Sequence, residues 1–229
     1  MIKKKIMYSE RAYALGMLIL AFATALMEKA DLGMSMVVAP AYLLHLKVSQ
    51  FIPSFSFGMA EYVFQAFLIV VLCIILRKAK LSYLFSFVTA VIYGLMLDVS
   101  ISLVRNIPTD GMAVRILLYV LGMVLCSFGV ALLFHTYISP EAYELFVKEL
   151  CSTYGLPVGR TKTIYDCVSC TVGVIMSFAF FGFGNFVGVK IGTVICALVN
   201  GRMIGRIDSF LDSHFSFEDA LGMRRIFEK

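Results

Sequence analysis

The chain has 229 residues, 60% of them hydrophobic and only 15% charged, where a soluble domain carries roughly 25% charged residues. Its mean hydropathy is +0.89, and a soluble fold of this size could not hide so much apolar surface, so a soluble enzyme or binding domain is excluded and an integral membrane protein is implied. The net charge of +5 gathers at the ends of apolar runs, which fits membrane orientation rather than nucleic-acid binding.

A membrane-crossing helix needs about 20 predominantly apolar residues. Six spans are predicted in chain order, at about Ala12–Met27, Phe57–Leu76, Leu81–Leu103, Ile116–His135, Ile164–Phe183 and Phe186–Gly205. The apolar run after Lys3, Lys4 and Lys5 lacks a small-residue cleavage site and is long enough to remain as an anchor, so no secretory signal is expected. The six cysteines are spread through apolar stretches as small buried hydrophobes, not as a disulfide framework.

Two further stretches are not read as spans. Leu32–Lys47 follows the first span and Ser139–Cys151 follows the fourth, and each carries a proline, Pro40 and Pro140. The second opens Ser-Pro-Glu-Ala, with proline at the first turn and an acid beside it, a helix start. Both read as short helices, and the apolar-polar pattern favours an interfacial position over a re-entrant one.

The chain repeats itself. Tyr13, Leu15, Gly16, Met17, Phe22, Ala25 and Leu26 recur 106 residues later as Tyr119, Leu121, Gly122, Met123, Phe128, Ala131 and Leu132. Ala90, Gly94 and Met96 recur as Ala197, Gly201 and Met203 at an offset of 107. With three spans per repeat, the second half must enter the membrane inverted, the plan of many secondary transporters. The expected fold is therefore all-α and polytopic. It has about six transmembrane helices in two inverted three-helix repeats, 1–107 and 108–207, plus two short interfacial or re-entrant helices and a short cytoplasmic tail over 208–229. Lys3–Lys5 and Arg11, Arg77, Lys78 and Lys80, Lys148, Arg160 and Lys162 as a loop group, and Arg202, Arg206, Arg224 and Arg225 all fall on one side. By the positive-inside rule that side, with both termini, is cytoplasmic.

Charges within spans are costly and point to function. Glu61 and Asp166 stand near the starts of the second and fifth spans, as repeat equivalents if one gap is allowed. Such carboxylates could bind a cation, a proton or an amine; the alternative is that each caps its own helix N-terminus. Asp98 and Arg202 occupy matching places in the third and sixth spans and either pair across the repeat interface or simply end their helices. Asp31 and His135 stand at the ends of the first and fourth spans, Asp31 as a gating or second-shell partner and His135 as a proton relay or a dipole-complementing helix end. Cys167-Val168-Ser169-Cys170 lacks a second pair or nearby histidines, so packing is expected there, and no metal site. Gly16, Gly94 and Gly122 are read as packing positions, as are Gly188 with Gly192 and Gly201 with Gly205 on the sixth span, where GxxxG spacing lets helices approach closely within the monomer or in a homodimer. No hydrolase, nucleotide-binding or metalloprotease motif occurs, so neither catalytic residues nor a cofactor are expected.

Gly16-Met17, Ala30-Asp31-Leu32-Gly33-Met34-Ser35, Gly58 and Gly94 with Asp98 give the chain a resemblance to the YczE/YyaS/YitT-like family of bacterial integral membrane proteins, over nearly its whole length. The resemblance implies a multi-pass protein of the bacterial cytoplasmic membrane and names no substrate. The leading functional expectation is a small secondary transporter or exporter of an unidentified solute or ion, centred on Glu61 and Asp166. The alternative is a non-transporting scaffold or biogenesis factor acting through helix–helix contacts.

Overall fold

Four helices follow one another twice in the same order: long, short, long, long. In the computed structural model, β1 (Lys5–Tyr8) leads into α1 (Ser9–Ala30), α2 (Ala39–Val48), α3 (Phe57–Leu76) and α4 (Leu81–Val104); these are followed by α5 (Met112–Phe134), α6 (Ala142–Tyr154), α7 (Val158–Phe181), α8 (Ile191–His214) and β2 (Phe215–Glu218). The structure describes residues 4–78, 80–156 and 158–222; Lys3, Arg224 and Arg225 of the orientation pattern lie outside the described residues. Among the described residues five helices, α1, α3, α4, α5 and α7, are long and apolar enough to cross a membrane. Their outward faces stay apolar, as with Val63, Val70 and Ile74 on α3 or Leu95, Val99 and Leu103 on α4, which is what lipid contact requires. α8 has the length but not the composition, because Arg202, Arg206, Asp208 and Asp212 interrupt it.

α1 and α5 cross at the centre through small residues. A Cβ built on Gly16 would lie 3.1 Å from the Gly129 carbonyl oxygen, and one on Gly122 would lie 2.9 Å from that of Ala23. Gly16 meets the late part of α5 and Gly122 the late part of α1, so the two helices run antiparallel. α4 runs parallel to α1, tied by Tyr13 to Thr89 at 2.8 Å and Thr24 to Tyr93 at 2.9 Å. α8 runs parallel to α5, with Ser127 Oγ donating to Asn200 Oδ1 at 2.7 Å. α3 packs on α4, α7 on α8, α2 against α3 and α7, and α6 against α7 and α3. Each of these contacts has its counterpart in the other half.

The structure corrects several sequence expectations. α2 and α6 do not lie along the outside of the bundle: residues 142–147 of α6 are all buried, as are 39–41 of α2. The amphipathic pattern misleads there because a polar residue such as Glu144 faces a buried cation rather than water. α7 begins six residues before the expected Ile164, which takes Lys162 out of a loop and into a helix. α8 begins at Ile191, so Gly188, at φ +70°, sits in the preceding turn and forms no helical GxxxG with Gly192. Residues 208–214 continue α8 rather than starting a tail, and β2 then pairs in parallel with β1, Lys5 opposite Phe215 through Tyr8 opposite Glu218. That small sheet adds a β element to the expected all-α fold and holds the two ends of the described chain together.

Candidate functional site

Pro140 shapes the site. It disfavours helical backbone at Ser139, and the chain, having left α5 at His135, runs non-helically to Glu141, entirely within the protein from Thr136 apart from half-buried Ile138. Buried carbonyls need partners, and α4 supplies them: Ser86 Oγ donates to the Pro140 oxygen at 2.6 Å and Thr89 Oγ1 to the Ser139 oxygen at 2.9 Å. α6 then starts inside the bundle and returns over about 20 Å, at 1.5 Å per residue, to the end where Lys80 pairs with Glu149 at 2.7 Å.

The start of α6 meets α3 and α7 in a cluster of charged side chains, each no more than 2% exposed: Glu61, Glu141, Glu144, Lys162 and Asp166. The cluster has two parts. In the first, Tyr143 donates its hydroxyl to Glu61 Oε2 at 2.8 Å, while Gln65 Nε2 reaches Glu61 Oε2 at 3.1 Å and Glu141 Oε2 at 3.3 Å. The Gln65 amide is held in that sense because its Oε1 accepts the Ala142 N–H at 3.0 Å. In the second, Lys162 Nζ lies 3.3 Å from Glu144 Oε1 and 3.2 Å from Asp166 Oδ1. The cluster thus holds four carboxyl groups and one ammonium, which contacts two of them. Glu61 Oε1, Glu141 Oε1 and Asp166 Oδ2 are buried without a hydrogen-bond partner, and Asp166 Oδ1 has the Lys162 ammonium alone beside it. A narrow cavity with room for about one water molecule touches Glu141, Glu144 and Lys162 on one side and Thr24, Tyr93 and Asn200 on the other.

Larger cavities open at the two ends of the bundle. One, of about 590 Å³, includes Glu28, Tyr42, Asp98 and Ile101 in its lining. The other, of about 450 Å³, includes Phe134, Lys148, Gly205 and Asp208. Their linings correspond at the offsets noted in the sequence, Glu28 and Tyr42 standing 106 residues before Phe134 and Lys148, and Asp98 and Ile101 standing 107 before Gly205 and Asp208. Because α1 and α5 are antiparallel, the two cavities face opposite ends. Only the second reaches the charged cluster, through Lys162 in its lining.

Both acids singled out in the sequence are in the cluster, though through different partners: Glu61 through Gln65 and Tyr143, Asp166 through Lys162. The others are not. Asp98 caps α3, accepting from Ser56 Oγ at 2.7 Å and from the Gly58 N–H at 3.0 Å. Arg202 is exposed on α8, beside Gly201 and toward the other end of the bundle, so the two do not pair; matching residues of antiparallel halves point to opposite ends. Asp31 ends α1 and binds Lys190 Nζ at 2.5 Å and Arg115 Nη2 at 2.6 Å. Partial burial pushes its carboxyl up, but the hydrogen bonds and charge of Lys190, then of Arg115, outweigh this and hold it below the usual aspartate range. His135 lies 3.1 Å from Asp208 and 3.6 Å from Asp212 and stacks on Phe217 at 4.5 Å. His135, Asp208 and Asp212 have metal-ligand spacing, but each ring nitrogen faces its own carboxylate, the arrangement of an imidazole bridging two acids.

Sequence reasoning passed over Glu141, Glu144, Gln65, Tyr143 and Lys162. The signal was there: Glu61 and Gln65, and Lys162 and Asp166, are four apart, and Glu141 and Glu144 are three apart, spacings that share a helix face.

A family model described as a family of unknown function, DUF6198, matches residues 7–209. The chain belongs to DUF6198. No curated protein and no solved structure is significantly similar to it. The DUF6198 match takes in the charged cluster and both end cavities, and ends before β2.

Proposed function

We propose that this DUF6198 protein is a small secondary transporter of the bacterial cytoplasmic membrane. Two inverted repeats, each of three crossings and one re-entrant helix, alternate access to the buried charged cluster. In this reading α8 supplies the sixth crossing, and the end carrying β1, β2 and most of the lysines and arginines is cytoplasmic. The kinship with YczE/YyaS/YitT-like proteins is part of the same reading.

The observation that carries it is the pair of cavities at opposite ends, with a buried charged cluster between them that only one of the two reaches. A site between repeats, built where short helices begin inside the membrane, is the arrangement alternating access needs. The state described here is then open toward the cytoplasm through Lys162, and the outward state would join the cluster to the cavity beside Asp98. The small solute takes its place among the carboxylates, and Glu61 and Asp166 are its expected binding residues.

The test is a thermal-shift screen of the purified protein against amino acids, nucleosides, organic cations, anions and metal ions, followed by counterflow of any hit in proteoliposomes. A solute that stabilises wild type but not Asp166→Asn, and that exchanges across the vesicle membrane, bears the reading out. A protein that no solute stabilises and that exchanges nothing is not a transporter of these classes, and attention would move to a partner protein.

A further inference from the structure

We propose that Glu61 and Glu141, bridged by Gln65, form a proton-binding carboxylate pair. Within the transport reading, on which this last point rests, the proton they exchange is the coupling ion.

The geometry leaves little else to neutralise them. Gln65 has one NH₂ group, and it is turned to both Oε2 atoms because its carbonyl oxygen is held by the Ala142 N–H. Each carboxyl therefore keeps an Oε1 buried with no donor. An unpaired buried carboxylate is costly. The cluster's one ammonium, Lys162, sits with Glu144 and Asp166, so it serves the other part. A metal ion needs several oxygens around one point, and the cavity that would hold it borders Glu141 and Glu144 but not Glu61. Glu61 lines none of the cavities described above.

The surroundings also provide a route. The groups facing the pair are Tyr143 and Glu144 from α6, Tyr93 from α4, Tyr13 from α1 and Lys162 from α7. The one-water cavity joins Glu141 to Glu144 and Lys162, and Lys162 lines the cavity open at the cytoplasmic end. A proton entering there transfers from water to an Oε1 atom, and leaves by the reverse transfer to water; no bond other than O–H is made or broken.

The test is infrared difference spectroscopy of the purified full-length protein, titrated in choline chloride from about pH 5 to about pH 9, a range bracketing neutral pH above the ordinary carboxylate values. The expected result is a protonated-carboxyl carbonyl band near neutral pH that shifts in D₂O and disappears reversibly on alkalinisation. Glu61→Gln and Glu141→Gln should each remove part of it. Should either variant fail to fold, Tyr143→Phe, which takes one hydrogen bond from Glu61, should shift the band in frequency. Absence of the band in folded wild type overturns the proposal. So does a band indifferent to these substitutions, or one abolished by replacing choline with sodium at constant pH. The band requires no solute, so it stands or falls separately from the counterflow result.

Discussion

Lys162 Nζ lies between Glu144 Oε1 at 3.3 Å and Asp166 Oδ1 at 3.2 Å, and all three side chains are buried. The ammonium joins α7 to the start of α6 and lines the cavity beside Phe134 and Asp208. Removing one member of a buried ionic group leaves the others uncompensated, at a cost of about 3–5 kcal/mol. Lys162→Met is therefore expected to lower the melting temperature sharply, and adding Asp166→Asn to recover part of the loss. A single substitution as stable as wild type would mean that the two carboxyls do not carry the charge assigned to them.

Glu61→Gln keeps the shape of the side chain and an oxygen to accept from Tyr143, but it can no longer take or release a proton. The expected outcome is a folded protein, monodisperse and with wild-type helicity, that no longer exchanges solute in vesicles. Full exchange by this variant removes Glu61 from the mechanism.

Two helical glycines should respond oppositely to alanine. A Cβ on Gly58 would sit 2.6 Å from the Gly94 carbonyl oxygen and 2.6 Å from Asp98 Oδ2, whereas one on Gly205 meets nothing within 4 Å. Gly58→Ala should destabilise by about 1–3 kcal/mol through overpacking. Gly205→Ala should be neutral or gain up to about 1 kcal/mol from helix propensity. Denaturation of the two variants side by side decides this, and equal losses would show that α3 and α4 do not approach as described.

Asp31 gives a pH dependence at the other end of the molecule. Its carboxyl is held below the ordinary range in the folded protein by Lys190 and Arg115, so the folded state binds that proton less readily than the unfolded one. Its contribution to stability is then complete above the unfolded value of about 4 and is lost as pH falls through the lowered folded value. Because Asp31 is more than half exposed, the effect is small, about 1 kcal/mol or less. Melting curves of wild type and Asp31→Asn should differ at neutral pH and converge below about pH 4.

Asp98 serves the same end of the bundle as a cap. Asp98→Ala leaves the Gly58 N–H and the Ser56 hydroxyl without their acceptor and should cost about 1–2 kcal/mol while leaving solute exchange intact. Loss of exchange at unchanged stability would instead give Asp98 the gating role that its place in the repeat suggested.

The sequence by itself determined the long apolar helices, the residues that recur at constant offset and two of the cluster's acids. Apolar runs interrupted by charge are local in the chain, and residues that recur at a constant offset can be read off it directly. Only the tertiary structure decided the rest. Lys162 looked like one of several basic loop residues, because nothing nearby in sequence shows that α7 starts early and turns it inward. Glu141 and Glu144 looked like the polar side of a surface helix, because periodicity cannot tell water from a buried ammonium as the partner of a charge. Asp98 and Arg202 occupy matching places in the sequence, which left pairing open beside simple helix ends, and the antiparallel crossing of α1 and α5 sends such matches to opposite ends. In each case the deciding contact joins residues far apart in the chain, and only packing brings them together.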